Sequence, residues 1–433
     1  MTTMFLIIAA IIIAIACGEK FQLNSGIIAV ALGYIIGSSA LGLVPDKLFI
    51  LWPTELFIVI FGVSFFFNFA NANGTLEILG SHVVYIFRNH MFWLPLGLYW
   101  TTGLISALGG GVWSSVPIVG ALALQICKKT QVNPLIVSIA VIQGGMTGGN
   151  IAFGPHGAII QSLLSKTSLA SRAFGLTNQI FLVSFFYPMI IVFILMLLDN
   201  RKRTHQTIVM DKPKAFDLRQ KQTLKLIAAF VLLMLVIPIA ANFFPDSSWI
   251  SAVKERLNLG FIGIVFGIIA YMMKLSDGQE VFRRTPWDTI WLTCGMAFLI
   301  GVGAQGGIIE QLAGLITHIP ALLVPVVLTF VCGIMSIFSS TVGVVAPLFF
   351  PTLPAIYAAS GISPSLLAIC IIIGGFSTGG APFSDAGSLL LSSSGYDFKQ
   401  QKKLQHTLLF QVAPVCICGA VITAAILTLF FKL

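Results

Sequence analysis

The stretch Gly144-Gly145-Met146-Thr147-Gly148-Gly149-Asn150-Ile151-Ala152-Phe153-Gly154-Pro155-His156-Gly157 returns 230 residues later. The second copy reads Gly374-Gly375-Phe376-Ser377-Thr378-Gly379-Gly380-Ala381-Pro382-Phe383-Ser384-Asp385-Ala386-Gly387. No ordinary helix keeps this many glycines and a proline, since each interior Gly costs ~1 kcal/mol and each Pro ~3. The match widens without a gap to residues 103–162 on 333–392. It pairs Gly103 with Gly333, Ser106 with Ser336, Pro117 with Pro347, and Pro134 with Pro364. Chance agreement in an apolar chain pairs Leu, Ile and Val easily, but does not readily pair Gly and Pro in the same order. Further blocks agree at slightly different offsets. Asn24 and Gly33 answer Asn258 and Gly267; Pro53, Gly62 and Gly74 answer Pro286, Gly295 and Gly307.

The chain around this repeat is 57% hydrophobic and 9% charged, with a mean hydropathy of +0.98. Apolar runs of about 20 residues, enough for a ~30 Å hydrocarbon layer, recur throughout. In a membrane chain, a doubled segment interrupted by Gly and Pro points to a transporter binding site between two structural repeats. Backbone freed from a helix there must be buried in protein or line a watery cavity. The N-terminus has no basic residue before its first apolar run, so a first helix is expected rather than a cleaved signal. The seven cysteines lie in or beside apolar runs without a C-x-x-C pair and read as packing residues.

The net charge of +9 does not indicate nucleic acid. Eight of the 24 Lys and Arg residues fall in the polar stretch 199–225, which marks the cytoplasmic side. Expected spans are 4–17, 26–44, 54–70 and 174–198, then 223–241, 259–274, 287–304 and 405–431. Each half adds a hairpin, 92–126 or 320–358, and a broken span, 134–163 or 364–392. The hairpin tips are Gly109-Gly110-Gly111 and Ser339-Ser340-Thr341-Val342-Gly343. If both hairpins re-enter, each half crosses five times and the halves face opposite ways. That places 18 basic residues inside and six outside (Lys47, Lys166, Arg172, Lys254, Arg256, Lys432). The expected fold is therefore an all-α polytopic membrane protein with an inverted-topology repeat and about ten full crossings. Residues 1–198 form the first repeat, 199–222 a cytoplasmic linker and 223–433 the second repeat. Both termini lie on the non-cytoplasmic side.

Unwound main chain is expected at 144–150 and 374–380, the two segments facing each other at mid-depth. It would offer carbonyls to a cation and N–H groups to an anion. Thr147, Asn150, Ser377, Thr378 and Ser384 add neutral oxygens. His156 and Asp385, ionisable at membrane depth, are functional candidates. His156 would serve a proton or substrate, or cap locally. Asp385 would be a cation ligand or proton carrier, or cap the half-helix beginning at Ala386. The alternative for the glycines is close helix approach, as in Gly33-x-x-x-Gly37. No Lys or Arg falls at membrane depth near the breaks, so an anionic substrate would need co-bound cations, helix dipoles or protonated His156. Gly301-Val302-Gly303-Ala304-Gln305-Gly306 follows no strand and fails as a dinucleotide motif. Asn73-Gly74-Thr75 is a sequon in form only, on the inner side. No second Asp pairs with Asp385 for an intramembrane protease, so no enzyme is expected.

The organisation resembles the ion-transporter superfamily and, within it, malonate and dicarboxylate carriers of the MatC type. Divalent-anion/sodium symporters are similar more distantly. Ser339-Ser340-Thr341 is similar to the symporters' Ser-Asn-Thr tip, and Ala381-Pro382-Phe383-Ser384 to the carriers' Ser-Pro-Phe-Ser. The resemblance implies a substrate site drawing on Gly110, Gly111, Ser114, Thr147, Asn150, His156, Ser340, Thr341, Thr378 and Pro382. It implies Na+ ligands among Gly145, Asn150, Ser339, Thr341, Ser377, Ser384 and Asp385. The first tip departs from the pattern, with glycines where the symporters carry a polar tripeptide. The resemblance also implies a homodimer with an elevator-like movement. The function expected is secondary active transport of a small organic anion, a dicarboxylate such as malonate, coupled to Na+ or H+. No other cofactor or nucleic-acid partner is expected, and the setting is a bacterial inner membrane. The alternative is a cation/proton antiporter using Asp385 and His156.

Overall fold

A computed structural model describes residues 2–21, 23–86, 92–129, 132–199, 212–243, 247, 249, 252–253, 256–307, 319–337, 339–382, 384–394, 396 and 398–431. We number the described helices in chain order. The first half holds α1 Thr2–Phe21, α2 Ser25–Ser39, α3 Pro45–Ile50, α4 Thr54–Ala72, α5 Thr75–Ile86, α6 Leu94–Ile105, α7 Gly111–Lys129, α8 Pro134–Gly148, α9 Pro155–Leu164 and α10 Ala173–Leu198. The second holds α11 Leu218–Phe243, α12 Leu259–Met272, α13 Gly278–Arg283, α14 Trp287–Gln305, α15 Val324–Ser336, α16 Ala346–Phe349, α17 Leu353–Ser360, α18 Pro364–Ser377, α19 Asp385–Ser393, α20 Phe398–Thr407 and α21 Ala413–Phe431. The described residues contain no strand.

Among the described residues, six helical stretches are long and apolar enough to cross a membrane. Large apolar side chains face outward along them, including Ile190, Ile194 and Leu197 on α10 and Ile422, Ile426 and Leu429 on α21. Such a girdle would be a liability in water and is what lipid requires. Leu94–Leu124 is not a straight span, because Leu108 and Gly109 leave helical geometry and Gly109 sits at φ +90°. The chain reverses there. Thr101 and Ile105 of α6 and Ile118 of α7 all approach Gly80, so the arms lie side by side as the expected hairpin.

The halves are equivalent in detail. Asn24 caps α2 through the Gly26 N–H, and Asn258 caps α12 through the N–H groups of Gly260 and Phe261. Pro53 and Pro286 precede α4 and α14. A Cβ on Gly144 would strike the carbonyl of Tyr99, and one on Gly374 that of Thr329; both pairs are 230 apart.

Small residues also interlock the halves. Along α2, Gly26 meets the Trp291 carbonyl, Gly33 meets Phe298 and Leu299, and Gly37 meets Val302. The numbers rise together, so α2 and α14 run parallel. Gly260 likewise meets Ile58, Gly263 meets Gly62 and Gly267 meets Phe65, so α12 and α4 run parallel. Successive spans such as α2 and α4 alternate in direction. Since α4 follows α12, α2 opposes its own counterpart α12. The two halves are inverted relative to each other, as the parity of crossings predicts.

Some boundaries differ from expectation. The polar stretch is already helical from Leu218, because the amphiphilic start of α11 is held by neighbours. Asn73 Nδ2 donates to Thr223 Oγ1 at 2.8 Å and to the Leu275 carbonyl at 3.2 Å. Gln220 Nε2 donates to the Asn73 carbonyl at 3.1 Å. The Asn73 side chain thereby ties α4 to both α11 and the loop after α12. Two further amphipathic helices, α5 and α20, were not anticipated.

Candidate functional site

Each broken span is two half-helices joined by a short irregular segment. α8 ends at Gly148 and α9 starts at Pro155; α18 ends at Ser377 and α19 starts at Asp385. The Gly157 N–H donates to the Gly149 carbonyl at 2.9 Å, and the Gly387 N–H donates to the Gly379 carbonyl at 3.2 Å. These equivalent bonds fix the angle at which each second half-helix leaves. Asn178 of α10 accepts the Ala152 N–H at 3.3 Å, supporting the first break from the side.

Helix persists further than the glycines suggest. Gly144, Gly145 and Gly148, with Gly374 and Gly375, remain helical, so among the described residues of the two breaks the unwound main chain is confined to 149–154 and to 378–382 with 384. These glycines, near the C-terminal ends of α8 and α18, serve close approach instead. A Cβ on Gly148 would strike the Gly103 carbonyl, and one on Gly145 would lie 2.9 Å from Ser115 Oγ. Thr147 is correspondingly helical and donates to the Gln143 carbonyl at 2.6 Å, with the Tyr99 hydroxyl 3.2 Å away.

The two breaks meet. Gln143 Nε2 donates to the carbonyls of Phe376 at 3.2 Å and Ser377 at 3.0 Å, the last turn of the opposite half-helix. The Met146 side chain lies against Gly379. His156 is buried between them, with Nδ1 2.9 Å from the Met146 carbonyl and its ring 5.2 Å from that of Phe376 and 5.6 Å from that of Trp113. A carbonyl only accepts, so Nδ1 carries the proton. His156 therefore caps α8 while touching the second half.

The tips flank this meeting point. In the first, Gly110 and Gly111 are buried, Gly111 at φ +58°, and Ser114 Oγ accepts from Asn71 Nδ2 of α4 at 2.9 Å. In the second, Ser339 donates to the Met335 carbonyl at 2.8 Å, while Ser340 Oγ accepts the Gly343 N–H at 3.3 Å. Thr341 lies against Gly375, and its hydroxyl is 2.9 Å from Ser336 Oγ. Thr378 donates to the Gly333 carbonyl at 2.5 Å and Ser377 to the Gly374 carbonyl at 2.6 Å. Pro382 and Ser384 are buried. Ser384, not Asp385, is the cap residue of α19; Asp385 is its first residue, and its side chain lies outside the described residues, as does Phe383. The structure thus gathers Gly145, Asn150 and His156 around the first break, and Thr341, Ser377 and Thr378 around the second. Ser114 points instead to α4.

The halves differ in one informative way. Ser106 and Ser336 are equivalent, as are Gly111 and Thr341. Thr341 satisfies Ser336, but Gly111 has no hydroxyl, and Ser106 Oγ is buried without a partner. A Cβ on Gly149 would lie 2.9 Å from that oxygen, so Ser106 faces the first break. Asn150 donates from Nδ2 to Ser184 Oγ at 2.9 Å and leaves its Oδ1 unpartnered, and Asn68 Nδ2 of α4 is unpartnered too. Buried polar atoms are normally satisfied, so each orphan calls for a ligand, an ion or water. Among the described residues, no group of three His, Cys, Asp or Glu could hold a metal. The available ligands are neutral oxygens, which suit hard cations. Sequence reading missed Ser106, Gln143, Asn68 and Asn178. All are amides or hydroxyls inside or beside apolar runs, which is the signal that could have found them.

Comparisons with known proteins agree with this geometry. The architecture is similar to that of the Alcanivorax borkumensis YdaH transporter, whose crystal structure is described as revealing an unusual topology. The similarity has a TM-score of 0.57 over 89% of this chain and 88% of that chain, at 16% identity. The fold is thus that of an all-helical polytopic membrane protein. Residues 1–149 match the family described as "Dicarboxylate carrier protein MatC N-terminus". No curated protein matches the chain.

Proposed function

We propose that the protein is a secondary active transporter of a small organic anion, a dicarboxylate such as malonate, coupled to Na+ or H+. The reading is carried by the meeting of two opposed broken helices around buried oxygens left without partners. A carboxylate there would meet the positive ends of the α9 and α19 dipoles and the hydroxyls of Ser340 and Thr341, while the Thr378 hydroxyl stays committed to the Gly333 carbonyl. A cation would draw on Ser339, Ser377, Ser384 and Asp385 in the second half. In the first it would draw on Asn150, with Ser106 added. Each hairpin moves with its broken span past the interlocked pairs α2–α14 and α4–α12, which act as the fixed scaffold of an elevator in a homodimer. The protein resides in a bacterial inner membrane with both termini outside. The family matched by the first 149 residues supports the substrate class.

The test is counterflow of labelled malonate into proteoliposomes, with and without a sodium gradient. Accumulation that follows the gradient is the expected result. Accumulation indifferent to sodium and to pH, or none at all, overturns the reading.

The central position of His156 favours a second reading, a cation/proton antiporter in which His156 and Asp385 exchange protons. His156→Gln is expected to retain gradient-driven malonate uptake at a third or more of the native rate. Loss of a pH-driven sodium flux with no malonate flux in the native protein would favour the antiporter. Asp385→Ala should remove the ion dependence of uptake, and unchanged ion dependence would strip that residue of its role.

A further inference from the structure

A cavity of about 430 Å³ opens against the first break. Ala152 and Phe153 of the break, Gln161 of α9, Gln179 of α10 and Met234 of α11 line it, and so does Arg172. It therefore touches the broken span, its supporting helices and the second half at once. Among the described residues lining it, Arg172 carries the only charge, and no acid faces it. Arg172, Gln161 and Gln179, residues whose side chains carry N–H donors, are all among its lining. Arg172 is also the cap residue of α10, whose first turn has no acidic residue, so the positive end of that helix dipole adds to the guanidinium. The ion pairs among the described residues, Arg283 and Arg284 with Glu280, leave Arg172 uncommitted. α10 runs from Ala173 to Leu198, and its far end leads to the polar stretch between the halves. At 1.5 Å per residue α10 is roughly 39 Å long, so Arg172 stands at the opposite end of that span from the polar stretch.

We propose that this cavity is the entry vestibule for the anion and that Arg172 is its selecting residue, engaging a carboxylate before it reaches the broken helices. The inference rests on the transport reading above. A planar guanidinium with a forked donor set binds carboxylate in pairs of hydrogen bonds, which an ammonium does not reproduce. It resolves the difficulty that the breaks carry no fixed cation. The positive charge stands at the approach, where it concentrates the anion without holding it too tightly to leave.

Two measurements on the purified full-length protein test this. In proteoliposomes, Arg172→Glu is expected to raise the half-saturating malonate concentration about tenfold or more, with maximal rate unchanged. Arg172→Lys should shift it less, and Arg172→Gln should flatten the dependence on ionic strength. A fall in maximal rate with unchanged half-saturation overturns the proposal, since that is what a structural role would give. The second measurement is phenylglyoxal modification of Arg172, read by peptide mass spectrometry. Malonate, succinate and sulfate are each expected to slow it several-fold relative to choline chloride of equal ionic strength. Absence of protection by every dianion overturns the vestibule whatever the transport result. Protection in a protein that takes up no malonate leaves the vestibule standing and removes the assigned substrate instead.

Discussion

Asn150→Ala is expected to cut malonate uptake by about 100-fold while the protein still elutes as a folded species. Asn150 is fully buried, donates to Ser184 and holds Oδ1 free beside the first break. Alanine removes the oxygen and leaves Ser184 Oγ without its donor. Losing one polar contact to a charged ligand costs ~1.5–3 kcal/mol, and the stated factor corresponds to about 2.7 kcal/mol. The fold should persist, because α8 is held by packing of Gly144 and Gly148 on the carbonyls of Tyr99 and Gly103, which the substitution leaves intact. The measurement is initial uptake in proteoliposomes, with size-exclusion chromatography as the folding control. Uptake within threefold of native would show that Oδ1 faces no ligand. Ser106→Ala, which removes the second orphan oxygen, should act in the same direction and less strongly, because that hydroxyl has no partner to disturb.

Gly62→Leu is expected to abolish monodisperse protein, or to lower the melting temperature by more than any substitution at the site. A Cβ on Gly62 would overlap the Gly260 carbonyl, and the helix backbones leave no flexible side chain to yield. Separating α4 from α12 costs ~3 kcal/mol or more, the upper range of overpacking. Gly295→Leu should do the same to the same extent, since Gly295 meets Gly26 in the equivalent crossing. Gly175→Ala is the control, with nothing within 4 Å of the added carbon. Thermal unfolding in detergent checks all three, and a native-like Gly62→Leu would mean the helices cross further apart than described.

The breaks, hairpins and inversion were legible because Gly and Pro have few reasons to recur in register. What the residues did not reveal is how many glycines unwind the chain. Gly144 and Gly374 tolerate helix because they lie on carbonyls of the neighbouring hairpin arm, and that compensation is tertiary. Composition alone cannot separate a glycine that frees the backbone from one that lets another backbone approach. The Ser106–Ser336 match was visible, but the orphaned Ser106 hydroxyl depends on a bond that Thr341 makes and Gly111 does not. The short amphipathic helices were missed because α5, at 12 residues, is too short to span and α20 is polar enough to resemble a loop. Arg172 was assigned to the outer side by charge bias, yet its place at a cavity depended on how α9, α10 and α11 converge.

The parallel pairing of α2 with α14 and of α4 with α12 constrains how the molecule is made. While the ribosome is still translating the second half, the glycine faces of α2 and α4 have no mate and must wait in lipid. Assembly can finish only after residue 305 or so has been inserted. A gene cut between the halves should then yield two unstable fragments that rescue each other when co-expressed.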